Sequence, residues 1–177
     1  MSSSHALLGI LAKQPNYGYI LKKNYDFLYG KEKPMAFGQV YATLSRLVRD
    51  NKIVTEKFEQ SGGPERKRYA ITPQGRKDLE SWLSSPEATS PNTQTVLFTK
   101  VVTAILLDKS PDIYLDTQRT AHFKQMQSLT QQRRQGNLAQ SLRADYALFH
   151  LEADLRWIDL TTTRLKSLAE EIRSEQH

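Results

Sequence analysis

The chain has 177 residues, no cysteine and a formal charge of +6. That length holds one large domain or two small ones with a real core, and the lack of cysteine excludes disulfides, thiolate chemistry and cysteine-ligated zinc. No apolar run reaches the roughly 18–20 residues of a membrane span, and the start MSSSHALLGILAKQ lacks the basic opening and cleavage site of a signal peptide, so a soluble cytoplasmic protein is expected.

The charge is unevenly placed. Residues 1–84 hold fourteen Lys or Arg against eight Asp or Glu, whereas residues 85–177 hold eleven of each. The whole positive excess lies in the first half, which suggests a polyanionic partner for that half alone.

In chain order, Ser4 is an N-cap candidate before the apolar run His5–Leu11, and Pro15 with Asn16 ends that first helix. A second helix is expected from Tyr17 to Tyr29, with Ile20, Leu21, Tyr25 and Leu28 inward and Lys22 and Lys23 outward. After a break at Gly30 and Pro34, Phe37-Gly38 opens a third helix. Its apolar face is Val40, Leu44, Leu47 and Val48. Its opposite face carries Gln39, Ala42, Arg46 and Arg49, with Tyr41 and Ser45 on the flank. Lys52–Phe58 and Lys67–Thr72 read as two strands around the turn Ser61-Gly62-Gly63-Pro64. Thr72-Pro73 then starts a helix bearing Leu79, Trp82 and Leu83, with proline at its first position. Three helices, a basic hairpin and a helix is the order of a winged helix-turn-helix.

The polar, proline-bounded stretch Pro86–Thr93 marks a boundary. The domains expected are 1–85 for nucleic-acid binding, 86–95 as linker and 96–177 as a helical domain. Within the last, Val96–Leu107 is apolar nearly all round. Ser110-Pro111-Asp112 starts a polar helix reaching about Gln135, and a final helix runs from about Leu138 to Arg173. That final helix carries Leu148, Leu151, Leu155, Ile158, Thr162, Leu165, Ala169 and Ile172 at alternating spacings of three and four, a heptad seam. A second stripe, Leu142, Tyr146, Phe149, Ala153, Trp157 and Leu160, lies on a different face. One face can pack on the chain's own helices and the other on a second subunit. The seam is the expected dimerisation surface.

Catalytic readings find little support. The four histidines are scattered, and neither a Gly-rich phosphate loop nor a nucleophile elbow is present. His150 and Asp154 could offer two metal ligands four residues apart, but with no further ligand nearby they read as a surface pair. No enzyme activity, cofactor or metal is expected. The third helix fits a major groove, where Arg reads guanine and Gln reads adenine. Arg49, nearer its end, suits a phosphate, as do Arg66, Lys67 and Arg68 beside the Gly63 tip. The alternative is a winged-helix adaptor whose basic face meets an acidic protein.

Three blocks carry a resemblance: Pro15-Asn16-Tyr17-Gly18-Tyr19, Phe37–Leu47, and Gly62–Thr72. Over about residues 6–83 the chain resembles the PadR family of bacterial winged-helix regulators, and its second half resembles that family's helical dimerisation domain in general character. The resemblance implies a mainly α protein: a winged helix-turn-helix DNA-binding domain followed by a helical, coiled-coil-like dimerisation domain. It implies a homodimeric repressor on an inverted-repeat operator in double-stranded DNA, with the helix from Gly38 reading and the 62–68 tip as wing. It further implies a small aromatic or drug-like effector, for which Tyr146, Phe149 and Trp157 are the candidate ligand-binding residues.

Overall fold

Helix α1, Ser2–Lys13, starts two residues before the Ser4 cap expected for it. The protein is described by a computed structural model over residues 2–29, 34–58, 66–87 and 93–174. Ala6, Leu7, Leu8, Ile10 and Leu11 of α1 are all buried, so the helix is covered on several sides, as its near-continuous apolar run requires. A two-residue strand β1, Asn16–Tyr17, leads directly into α2, Gly18–Tyr29. Helix α3 spans Phe37–Arg49.

The end of α3 is closed by a pair of backbone bonds, Asn51 N–H to the Val48 carbonyl at 3.0 Å and Lys52 N–H to the Leu47 carbonyl at 2.9 Å. Asn51 takes the left-handed conformation, φ 54°, that this closure demands. The chain turns into β2, Ile53–Phe58, which pairs antiparallel with β3, Arg66–Ile71, in the register Ile53↔Ile71. Strand β1 pairs with the other edge of β3, Asn16 opposite Tyr69, giving the sheet order β1-β3-β2. The sequence reading had only the hairpin.

Helix α4, Pro73–Ser84, begins where Pro73 predicts. The Thr72 hydroxyl accepts from the Gly75 N–H at 3.0 Å and donates to the Asn51 carbonyl at 2.7 Å, so one side chain caps α4 and ties it to the α3 end. Helix α5, Thr93–Leu106, ends like α3, with Asp108 at φ 53° and Lys109 N–H bonded to the Ala104 carbonyl at 2.9 Å. Helices α6, Asp112–Gln135, and α7, Leu138–Ser174, form a hairpin. Asn137 caps α7 reciprocally: its Oδ1 accepts from Gln140 N–H at 3.0 Å, and Gln140 Oε1 accepts from Asn137 N–H at 2.9 Å.

The chain divides into two compact units, Met1–Ser84 with Phe98–Lys109, and Ser85–Leu97 with Ser110–His177. The expectation that residues 96–177 form one helical domain is therefore corrected, because most of α5 packs into the first unit. Thr103 of α5 lies against Gly9 of α1, where an added Cβ would meet its methyl at 2.7 Å, and its hydroxyl bonds Tyr29 of α2 at 3.0 Å. Lys100 of α5, wholly buried, sits 5.1 Å above the Trp82 ring. That ring stacks on His5 at 4.5 Å. Leu7, Leu8, Leu11, Leu21, Leu44, Ile53, Leu79 and Val101 complete this core, each worth about 1.5–3 kcal/mol in transfer from water.

In the second unit the hairpin is held by cross-helix ion pairs, Arg119 with Asp159 at 2.8 Å and Arg133 with Asp145 at 3.1 Å. Between them lies a buried polar relay. His122 Nε2 is 3.2 Å from Asp154 Oδ2, and His122 Nδ1 is 3.1 Å from Gln118 Nε2. Gln118 also accepts the Glu87 N–H at 2.7 Å and donates to the Glu87 carbonyl at 2.8 Å. The Glu87 backbone fixes the amide orientation, so His122 Nδ1 accepts and Nε2 donates to Asp154. The expected His150–Asp154 surface pair is thus corrected: Asp154 is buried and faces His122, while His150 Nδ1 lies 2.9 Å from the Tyr146 carbonyl.

Candidate nucleic-acid interface

Helix α3 is two-faced. Val40, Thr43, Leu44 and Leu47 are buried, and Gln39, Tyr41, Ala42, Ser45, Arg46 and Arg49 are all exposed. The structure therefore brings the six helix residues of the expected reading surface together on one outward strip. Arg46 reaches only a long contact, 3.4 Å, to the Ser4 hydroxyl, and Arg49 pairs with its neighbour Asp50 at 3.1 Å. Both guanidinium groups stand in solvent, where such contacts contribute little and are easily exchanged for an anion.

Neighbouring elements set the strip's position. The Asp26 carboxylate of α2 accepts the Met35 N–H at 2.8 Å and pairs with Lys22, which anchors the chain just before α3. Tyr41 lies so close to Gly18 that a Cβ there would meet its ring at 2.7 Å, so the start of α2 rests on the side of α3. Gln39 is partly engaged: its Oε1 accepts the Ala36 N–H at 3.3 Å, satisfying one of the donors a helix start leaves open.

On the sheet, Lys67 is exposed and Arg68 is half-buried, 3.9 Å from Glu56 on the paired strand. The backbone of Arg66 belongs to β3. The Arg66 side chain and the expected tip, including Gly63, lie outside the described residues. Sequence reasoning passed over Phe37, 53 % exposed at the head of α3 with the Lys22 ammonium 4.9 Å from its ring centre. It also passed over Tyr19, 50 % exposed at the head of α2. An apolar residue heading an otherwise polar face was the available signal.

The expected dimerisation residues all lie on α7. Leu148, Leu151 and Ile158 are buried on α7 where it packs on α6; Leu155 and Leu165 are half-buried and Ile172 is buried. Much of the heptad seam is thus consumed within the chain, because α6 supplies the partner helix that a heptad seeks. The second stripe is the open one: Leu142, Tyr146 and Phe149 are 60, 64 and 65 % exposed. Trp157 is half-buried. Tyr146 and Phe149 point out from the hairpin, with Tyr146 against the His150 ring at 4.3 Å.

A three-helix core, a β1-β3-β2 sheet and a following helix, with an amphipathic third helix turned outward, define a winged helix-turn-helix module. Residues 7–81 match the transcriptional regulator PadR-like family. That match falls on the winged-helix part of the chain. It is 33% identical over 86 residues to a probable transcriptional regulator of Mycobacterium tuberculosis, an alignment covering 49% of this chain and 46% of the relative. The chain thus spans about half the length of the curated relative it matches. Among solved structures it is similar to Bacillus subtilis PadR in complex with operator DNA, at 17% identity over 93% of this chain and 99% of that one, TM-score 0.45. It is also similar to a PadR family transcription regulator from Clostridium difficile, at 29% identity over 44% of this chain and 79% of that one, TM-score 0.39.

Proposed function

We propose that the protein is a cytoplasmic, sequence-specific DNA-binding transcriptional regulator, acting as a homodimeric repressor relieved by a small aromatic effector. The observation that carries this reading is the outward strip of α3. Two arginines, an amide and a methyl share one solvent face of a helix whose other face is buried in a winged-helix core. In this reading Arg46 meets a guanine edge, Gln39 and Ala42 meet neighbouring bases, and Arg49 and Lys67 meet phosphates. The exposed α7 stripe supports self-association, since Leu142, Tyr146, Phe149 and Leu160 leave a large apolar face in water. Between two copies, that same aromatic stripe with Trp157 offers a planar effector rings to stack on. Paired readers imply inverted half-sites a whole number of helical turns apart, about 10–10.5 bp each.

The test is selection of bound fragments from random duplex DNA, followed by titration of variants on the selected site. Arg46→Ala is expected to cost about 1–3 kcal/mol and relax preference at one position. Lys67→Ala is expected to weaken every duplex alike and flatten the salt dependence by about one unit. Retention on heparin with no selected sequence would instead indicate an adaptor with a basic face.

A further inference from the structure

Four of the described glycines have an evident reason to lack a side chain. A Cβ at Gly9 would strike the Thr103 methyl at 2.7 Å, at Gly18 the Tyr41 ring at 2.7 Å, at Gly75 the Lys52 carbonyl at 2.1 Å, and at Gly136 the Gln140 Cβ at 2.8 Å. Gly38 is different. Among the described residues, its chain neighbours and the local helix backbone aside, nothing lies within 4 Å of a Cβ built there, and its φ is not positive. It occupies the second position of α3, where alanine is the better helix former. Among the described residues, nothing requires glycine at this place.

What surrounds it is outside the fold's own packing. Gly38 lies one turn before Tyr41 and Ala42, its neighbours on the helix surface, and Phe37 precedes it. Phe37 is 53 % and Tyr41 44 % exposed, and Ala42 is exposed as well. The absent side chain leaves a bare, solvent-open notch beside Ala42, at the head of a strip that is otherwise Gln39, Ser45, Arg46 and Arg49. Two nearby rings are held in place from α2: Lys22 lies over the Phe37 ring, and the Tyr41 ring lies against Gly18.

We propose that this notch reads the 5-methyl group of a thymine in the major groove. The C5 methyl is the one apolar mark a base pair shows there, alanine and phenylalanine side chains are what contact it, and the first residues of a recognition helix reach the base edges. A side chain at position 38 would take the space the methyl needs. The inference rests on the reading of α3 as a DNA-reading helix.

The test uses the full chain and its selected duplex, with each thymine replaced singly by uracil, which removes only the methyl. Wild type is expected to lose about fourfold in affinity at one thymine per half-site. Gly38→Ala is expected to melt at or above the wild-type temperature and to bind unrelated duplex as before. It should bind the selected site at least tenfold more weakly and no longer sense that methyl. Phe37→Ala is expected to blunt the same methyl sensitivity. A selected site indifferent to every thymine methyl would overturn the proposal, as would a Gly38→Ala protein that binds it like wild type. A wild-type protein with no preferred duplex would fail the DNA-reading assignment itself, and the notch with it.

Discussion

Asp154→Leu and His122→Leu, made singly and together, test whether the relay inside the α6/α7 hairpin holds as a unit. His122 and Asp154 are 1 % and 3 % exposed, and their side chains meet at 3.2 Å. Removing Asp154 alone strands the neutral His122 Nε2–H in the interior, a loss of about 1–3 kcal/mol by the cost of an unsatisfied buried donor. Removing His122 alone strands the carboxylate, a larger loss of about 3–5 kcal/mol by the cost of an uncompensated buried charge. The double replacement removes both needs at once. It leaves Gln118 its bonds to the Glu87 backbone at 2.7 and 2.8 Å, so only the Nδ1 contact is lost. The double variant should therefore be more stable than the sum of the single losses predicts, by about 2 kcal/mol or more. Thermal unfolding by helical circular dichroism, at one fixed protein concentration, measures the three values. Single losses that simply add would show that the two groups do not act together.

Further outcomes follow from other features. Tyr146→Glu with Phe149→Glu places charge on the open α7 stripe and should give a folded monomer by sedimentation, whereas Leu151→Glu, at a residue 0 % exposed, should unfold the hairpin. An unchanged mass for the first variant would remove the stripe from any interface. Gly75→Ala forces a methyl to within 2.1 Å of the Lys52 carbonyl, and a loss of about 1–3 kcal/mol in urea unfolding is expected. Burial raises the Tyr29 and Tyr114 hydroxyls above the ordinary value of 10.0. Their contribution is thus intact below that value and lost as pH rises through the higher folded values. The melting temperature should fall as pH rises above about 10, and less steeply in a Tyr29→Phe, Tyr114→Phe protein.

The first unit was legible where local signals are strong. Val40, Leu44 and Leu47 gave α3 its period, Pro73 marked the start of α4, and the Gly-Gly-Pro stretch separated two β-rich runs. Strand β1 was not legible, because Asn16 and Tyr17 become a strand only by pairing with Tyr69 and Arg68, some fifty residues away. The seam and the stripe on α7 were both visible. A heptad states that a helix needs a partner without stating whose. The partner is α6, and its inward positions include Gln118 and His122, which a hydrophobic pattern counts as surface. The same blind spot assigned Asp154 to His150, since i,i+4 proximity is readable in sequence and a cross-hairpin contact is not. On the outward strip of α3 the residue types were legible, but the empty space beside Gly38 and the exposure of Phe37 belong to three dimensions.

The engagement of Gln39 with its own helix start has a consequence for how operators and regulators drift apart. Its Oε1 is turned back to the Ala36 N–H, so the amide presents its two hydrogens outward, preset as a donor before any base arrives. In a helix that reads bases, such a side chain asks for an acceptor: guanine O6 or N7, adenine N7 or thymine O4. Less rotamer freedom is then surrendered on binding, a saving of order 0.5–1.5 kcal/mol for a long side chain. A change to glutamate would keep the inward oxygen, and its charge would suit the helix N-terminus, while the outward group would switch from donor to acceptor and ask for cytosine N4 instead. One substitution would alter the letter requested and leave the fold's grammar intact.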